Sequence, residues 1–159
     1  KLGMNEKKIE ALEYASILHD AGSVDIPYDI LSKRGRLTAS EFKVIRNHPE
    51  RSAELVKPVA FLKPVLPVVL YHHERYDGKG YPCGLKGEEI PSGARVMAVV
   101  DAFEAIVAGR PYKKGLKFAK AIEELKRGKG TQFDPAIVDA FCKLSKETKF
   151  KKCLSMMGA

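Results

Sequence analysis

The feature that most restricts the fold is a single apolar run, ARVMAVVDAFEAIVA at residues 94–108. Apolar side chains fall on nearly every face of a helix drawn through it, so the segment is expected to be buried. Ser92 stands where an N-cap belongs, and Gly109 stops the run. It falls short of the roughly 20 apolar residues of a membrane span and carries Asp101 and Glu104, so no membrane span is expected. Asp101 is then a carboxylate among neighbours that cannot solvate it. Burying even a neutral polar group unpaired costs about 2–7 kcal/mol, and a charge costs more. Asp101 therefore needs a cation, either an arginine such as Arg95 or Arg110 or a bound metal ion.

The remainder reads as helices joined by loops. Ile9, Leu12, Ala15, Ser16 and Leu18 recur at helical spacing before a stop at Gly22, which puts His19 and Asp20 at a helix C-terminus. Thr38 and Glu41 form a capping box that opens a helix ending near His48 and Pro49, and Pro49 suits the first turn of another short helix. Residues 64–73 are expected to be an apolar helix with Pro64 and Pro67 in its first turn. A further helix covers about 117–127 before Gly128, and Asp134 with Pro135 opens the last. No stretch alternates with period two between hairpin turns, so the expected class is all-α. At 159 residues and 45% hydrophobic, the chain is expected to be one domain at 1–147 followed by a basic tail at 148–159.

Cys83, Cys142 and Cys153 form no CxxC pair and no even framework, as expected for free thiols in a reducing interior. The net charge of +8 favours anionic partners. It is spread through KRGR, KKGLK, KRGKG and KFKK, and no zinc-finger, RNA-recognition or P-loop pattern accompanies it, so a nucleic-acid polymer is not expected. There is no signal peptide, and a start at Lys1 is what a piece of a longer chain would have.

All four histidines, His19, His48, His72 and His73, fall at expected helix ends. With Asp20 and Asp101 they make a set of four imidazoles and two carboxylates, suited to iron, manganese, cobalt or zinc. Six ligands are too many for one octahedral ion that must leave room for water or substrate, so two ions are expected. A carboxylate is the usual bridge, and a bridged pair activates water for in-line attack on phosphorus. Taken singly, His19–Asp20 reads as a surface pair, and His48 suits a helix C-terminus through its partial charge. The segment VVLYHHERYDGKGYPCGLKGEEIP at 68–91 then sets glycines at 78, 80, 84 and 87 directly after His72 and His73. Glycines so dense imply that something approaches this backbone closely.

In chain order, ILHDAG, DIP, LT, HPERSAEL, YHHERYDGKGYPCGLKGEEIP, DAFEAIVAGRPYKKG and GTQFDP resemble the motifs of the HD-GYP family, over about residues 2–144. That family is a bacterial subgroup of the HD superfamily of metal-dependent phosphohydrolases. The resemblance implies an HD-domain-like helical bundle with an extended Gly-Tyr-Pro loop. It also implies hydrolysis of cyclic di-GMP, or a related cyclic dinucleotide, to linear dinucleotide or GMP at two or three divalent transition-metal ions. Iron or manganese is the expected metal, with zinc, cobalt or nickel as alternatives. By motif position His19, Asp20, His48, His72, His73 and Asp101 match the family's metal ligands, with Asp20 as the bridge and His19, Asp20 and Asp101 in the catalytic part. Within the signature Gly80, Tyr81 and Pro82, Tyr81 matches the residue that contacts the dinucleotide, against which the glycines would let the loop fold. Arg110 and Lys113 match phosphate-facing positions, where an arginine fork pairs two oxygens; on their own they read as surface charge. A cytoplasmic location, a sensory or receiver domain in the parent protein, and partners such as GGDEF-type proteins follow by the same analogy.

Two departures stand out. The family's His-Asp-x-Gly-Lys is here His19-Asp20-Ala21-Gly22-Ser23, so Ser23 keeps a hydrogen bond to a phosphate but not the charge. That loss is worth about 1.5–3 kcal/mol if the contact acts in the transition state. The family also has an upstream helix with a further histidine and often a glutamate, which would precede Lys1. Without it, His48, His72, His73 and Asp20 complete one ion, while His19, Asp20 and Asp101 hold the other weakly. Both departures support a rival expectation, a catalytically weak or inactive module that binds a cyclic dinucleotide or a protein. Hydrolysis of ordinary mononucleotides is disfavoured by the long loop after His73.

Overall fold

The computed structural model describes residues 2–110, 113–148 and 150, with the backbone alone at 110, 113 and 114. Most of the 148–159 tail therefore lies outside the described residues. Eight α-helices carry the described chain: α1 Glu6–Leu18, α2 Tyr28–Leu31, α3 Ala39–Arg46, α4 His48–Val56, α5 Leu66–Tyr71, α6 Ser92–Ala108, α7 Phe118–Arg127 and α8 Pro135–Leu144. Short 3-10 turns at Ala21–Asp25, Ala60–Val65 and Gly87–Glu89 join them. The all-α expectation is borne out. Its one exception is a ribbon of two residues per strand, in which β1 Gly109–Arg110 pairs antiparallel with β2 Lys113–Lys114, too short to leave an alternation in the sequence. Among the described residues no helix is long and apolar enough to cross a membrane.

The apolar run explains itself as α6, the helix shared by two cores. On one side Met97 packs with Ala11 and Ala15 of α1, Val56 of α4 and Val68 and Val69 of α5. On the other, Val99 and Phe103 pack with Ala121 and Leu125 of α7 and Ile137 and Val138 of α8. Two packed faces require apolar residues around most of the helix. The burial is not complete, for Val100 is 44% exposed and the Asp101 side chain 29%. Asp101 lies on the side that opens to a cleft, which the run of apolar letters does not reveal.

Helix boundaries follow proline chemistry. Residues 64–73 are not one helix: Pro64 sits inside the 3-10 turn, and α5 begins at Leu66 with Pro67 in its first turn. In a continuous α-helix Pro67 would have to donate to the Lys63 carbonyl, which it cannot do. Instead Leu66 N–H takes that carbonyl in a 3-10 step. Pro49 likewise ends α3 early, so that His48 opens α4. The capping box of Thr38 and Glu41 is present, and Asp134 caps α8 through the N–H groups of Ala136 and Ile137. Ser92 is the first helical residue of α6; the N-cap is Pro91, and no side chain caps it. On α1 the buried stripe is Ala11 and Ala15, with Leu12 and Leu18 partly covered, whereas Ile9 is 46% exposed and Ser16 faces solvent.

Candidate metal centre

Three of the four histidines are aimed by the same local device. The last carbonyls of a helix have no intrahelical donor. A histidine three residues on can bring its Nδ1–H back to one of them, leaving the Nε2 lone pair directed outward. Nδ1 of His48 lies 2.7 Å from the Ile45 carbonyl at the end of α3, that of His72 2.7 Å from Val69 in α5, and that of His19 3.2 Å from Ser16 in α1. Pro49 contributes, since it cannot supply the backbone donor that Ile45 would otherwise receive. Such outer hydrogen bonds fix the tautomer of metal-ligating histidines.

Long-range packing brings these ends together. The turn at Ala21–Asp25 lies against the start of α4, where Gly22 N–H donates to Ser52 Oγ at 2.7 Å. A Cβ on Gly22 would fall 2.4 Å from the His48 carbonyl and 2.5 Å from Ser52 N, so only glycine permits this approach. Asp20 is thereby set between the histidines. Its Oδ1 is 3.1 Å from His48 Nε2 and 4.0 Å from His72 Nε2, while its Oδ2 is 3.5 Å from His19 Nε2. His48 Nε2 is also 3.3 Å from His72 Nε2 and 3.2 Å from His73 Nε2. Ligand atoms of Asp20, His48, His72 and His73 all lie within 4.8 Å of one another. Asp101 Oδ1 completes the far side, 3.9 Å from His19 Nε2.

Charge within the cluster follows from these contacts. The hydrogen bond with His48 holds the Asp20 carboxyl down at about 2 against the opposing effect of burial, helped by the charges of the surrounding imidazoles. Burial pushes His72 down to about 4 and His73 to about 3, and neighbouring imidazoles add to both. For His48 burial is the largest single influence and acts downward, but the hydrogen bonds to Asp20 and Ile45 and the charges of Asp20 and Asp101 together raise it. Three Nε2 atoms and a carboxylate oxygen thus face one another, and burial disfavours the charged, doubly protonated form of His72 and His73. A divalent cation satisfies all four at once, and neutral imidazole with carboxylate is a donor set that transition metals accept.

The loop after His73 buttresses this centre. Glu74 is buried, and its Oε1 accepts the N–H groups of Cys83 and Gly84 at 2.7 and 3.0 Å. Tyr76 and Asp77 donate to the carbonyls of Gln132 and Thr131, which ties the loop to the turn before α8. Gly80 is where the backbone approaches closest, since a Cβ would lie 2.3 Å from Arg75 N and 2.5 Å from Glu74 Cα. The group that an added Cβ would meet here is the loop's own chain. Tyr81 donates its backbone N–H to the His73 carbonyl at 3.3 Å, and its ring lies 4.9 Å from that of His73, tilted by 31°. The Tyr81–Pro82 peptide is cis. Glu74→Ala is expected to lower stability by about 1–3 kcal/mol, because two loop amides lose a charged acceptor. Hydrogen exchange should show the Cys83 and Gly84 amides losing protection; unchanged exchange would refute the clamp.

A cavity of about 390 Å³ opens beside the cluster, walled by Asp20, Ser23, Lys33, His48, His73 and Tyr81, with Asp101 also lining it. Ser23 reaches this wall, where Lys33 supplies a cation that both Glu41 oxygens hold at 2.7 Å. Arg95, one of the arginines considered for Asp101, is bound instead to Asp134 at 2.5 Å. The side chains of Arg110 and Lys113 lie outside the described residues. Sequence reasoning missed Arg46, whose guanidinium lies 4.5 Å from the Tyr81 ring centroid, and Ser52. Neither leaves a local signal: one reads as a basic last-turn residue, the other as a helix-interior serine.

A family model described as an HD domain matches residues 1–137. The chain is 42% identical over 142 residues to the cyclic di-GMP phosphodiesterase response regulator RpfG of Xanthomonas campestris, a match covering 88% of this chain and 38% of that protein. It is 36% identical over 139 residues to 3'3'-cGAMP-specific phosphodiesterase 2 of Vibrio cholerae, covering 86% and 27%. The chain thus spans well under half the length of either relative. Among solved structures, an HDG"Y"P protein from Bdellovibrio bacteriovorus superimposes with a TM-score of 0.71 at 19% identity, over 91% of this chain and 46% of that one. With ordered motifs from Ile17 to Pro135 and this match over most of its length, the chain belongs to the HD domain family, in its HD-GYP group.

Proposed function

We propose that this site hydrolyses a phosphodiester bond of a cyclic dinucleotide, cyclic di-GMP or a close relative of it, at two divalent transition-metal ions. The observation that carries the reading is the convergence of His48, His72, His73 and Asp20, whose ligand atoms all lie within 4.8 Å of one another. His48, His72, His73 and Asp20 Oδ1 would hold one ion, and His19, Asp20 Oδ2 and Asp101 the other. When bound, such a pair supplies water activation and charge neutralisation on phosphorus. The chain's own part is orientation: the Ile45, Val69 and Ser16 carbonyls fix three imidazoles, and Tyr81 packs on the fourth. Ser23 and Lys33 line the cavity where the phosphodiester would lie, and Arg110 and Lys113 are proposed as further phosphate contacts. Hydrolysis adds hydroxyl to phosphorus and a proton to the departing 3′ oxygen, giving linear dinucleotide and, after a second cleavage, GMP. The names of the relatives, one for cyclic di-GMP and one for 3'3'-cGAMP, support this substrate class. Iron or manganese is the proposed metal, the cytoplasm the proposed location, and a receiver-type domain in the whole protein is proposed from RpfG.

Chromatography of products after incubation with manganese or ferrous iron tests the reading: linear dinucleotide or GMP is expected, and metal-loaded protein that leaves every cyclic dinucleotide intact would overturn it. Stepwise removal with a chelator is expected to take the ion at His19 and Asp101 first. That ion would have three protein ligands, His19, Asp20 and Asp101, against four for the other. Simultaneous loss of both ions would count against two unequal sites. Ser23 favours a second reading, binding without turnover, because it leaves Lys33 as a cavity cation already committed to Glu41. Calorimetry showing tight binding of cyclic di-GMP alongside absent product would select it.

A further inference from the structure

On the other side of Tyr81 lies a second cavity, of about 440 Å³, within the range of about 300–1,000 Å³ usual for small-molecule sites. Its walls include Phe42, Arg46, Asn47, Glu50, Tyr81 and Pro82. Phe42 and Tyr81 also line the cavity beside the metal centre, so the two spaces adjoin. Arg46 is half-buried here. Arg51, Arg75, Arg95 and Arg127 each hold a carboxylate, whereas Arg46 makes no hydrogen bond or ion pair among the described residues. Its guanidinium lies 4.5 Å from the Tyr81 centroid and 5.8 Å from that of Phe42. Two aromatic contacts orient the fork while leaving its five N–H donors unspent.

The polar groups of this cavity have both signs. A phosphate would be drawn by Arg46 and Lys43 but would meet the carboxylate of Glu50. A nucleobase that carries adjacent acceptors on one edge and adjacent donors on the next fits better, against the apolar walls of Phe42 and Pro82. Guanine has O6 and N7 as acceptors, which an arginine fork reads bidentately, and N1–H and N2–H as donors for a carboxylate. Adenine puts an amino donor where guanine has O6, opposite a guanidinium that only donates. We infer that this cavity is the guanine pocket of the substrate, with Arg46 reading O6 and N7 and Glu50 accepting from N1–H and N2–H. The inference rests on the proposed hydrolysis of a cyclic dinucleotide: with the phosphodiester beside Asp20 and His73, an adjoining base reaches past Tyr81 into this space.

The test compares cyclic di-GMP, cyclic di-AMP and the base-free diester bis(p-nitrophenyl) phosphate in manganese-loaded protein, for the unaltered chain and for Arg46→Ala, Arg46→Lys and Glu50→Gln. The preference in kcat/KM for cyclic di-GMP over cyclic di-AMP is expected to fall by about ten- to a hundredfold in Arg46→Ala, the span of one bidentate base contact. Arg46→Lys keeps the charge but not the fork, so it should not restore the preference. Glu50→Gln should lower the preference in the same direction. Equal losses on both dinucleotides would reduce Arg46 to a general phosphate attractor and overturn the inference. So would a matching loss on the base-free diester, which would mean that Arg46 acts through Tyr81 and His73 on the metal centre. If the unaltered chain cleaves the base-free diester but no cyclic dinucleotide, the proposed function falls and this pocket with it.

Discussion

Replacing Asp20 with asparagine should cost more than any other single change in the centre, with turnover of cyclic dinucleotide falling by more than the about 10–100-fold that follows loss of an outer partner of a metal ligand. The side chain is nearly isosteric, so the effect isolates charge and ligand chemistry. Asp20 Oδ1 faces His48 and His72, and Oδ2 faces His19. An amide can offer its oxygen to one side only, and it turns N–H donors toward the other. Held at about 2, the carboxyl is ionised under any assay condition, so the substitution also removes a full negative charge from among four imidazoles. Elemental analysis should find the bound metal reduced from two ions per chain. His19→Ala, by contrast, should release the ion on its own side and keep the one at His48. An Asp20→Asn protein that retained both ions and normal turnover would show that the carboxylate bridges nothing.

The parts of this centre that can be read from the chain are those that local rules determine. His19, His48 and His72 stand just beyond helix carbonyls that lack donors, and the stops that create those ends, Gly22 and Pro49 among them, are visible as letters. What no local rule contains is the convergence. It depends on the Ala21–Asp25 turn meeting α4 and on α6 lying between two cores, contacts between segments far apart in the chain. Periodicity correctly assigns α6 to the interior but overstates the burial of Asp101, because counting apolar faces does not tell which remaining face borders a cleft. Gly80 teaches the complementary lesson. A need for glycine is legible, but the group that requires it is the backbone of Glu74 and Arg75, which a ligand-centred reading overlooks. Tyr81 offers less open aromatic surface than its signature suggests, since His73 and Arg46 already engage the ring.

Gly22→Ala tests whether that convergence is as rigid as its contacts imply. The added Cβ would lie 2.4 Å from the His48 carbonyl oxygen, 2.5 Å from Ser52 N and 2.7 Å from Arg51 Cβ. The first two are backbone atoms of α4, which no rotamer change can move aside. Overpacking of this kind costs about 1–3 kcal/mol where side chains can adjust and more where they cannot. Displacing the turn also breaks the bond from Gly22 N–H to Ser52 Oγ. A loss of about 3 kcal/mol or more is expected, which for a domain of this size lowers the melting temperature by about 6–12 °C. Because the displaced turn follows Asp20 and the obstructing carbonyl belongs to His48, metal affinity should fall along with stability. Ser52→Ala separates the two causes, since it removes the hydrogen bond for about 1 kcal/mol while leaving the glycine approach intact. A Gly22→Ala melting temperature within about 2 °C of the unaltered chain, less than 1 kcal/mol for this size, would mean that α4 yields without cost and that the histidines are not held by this contact.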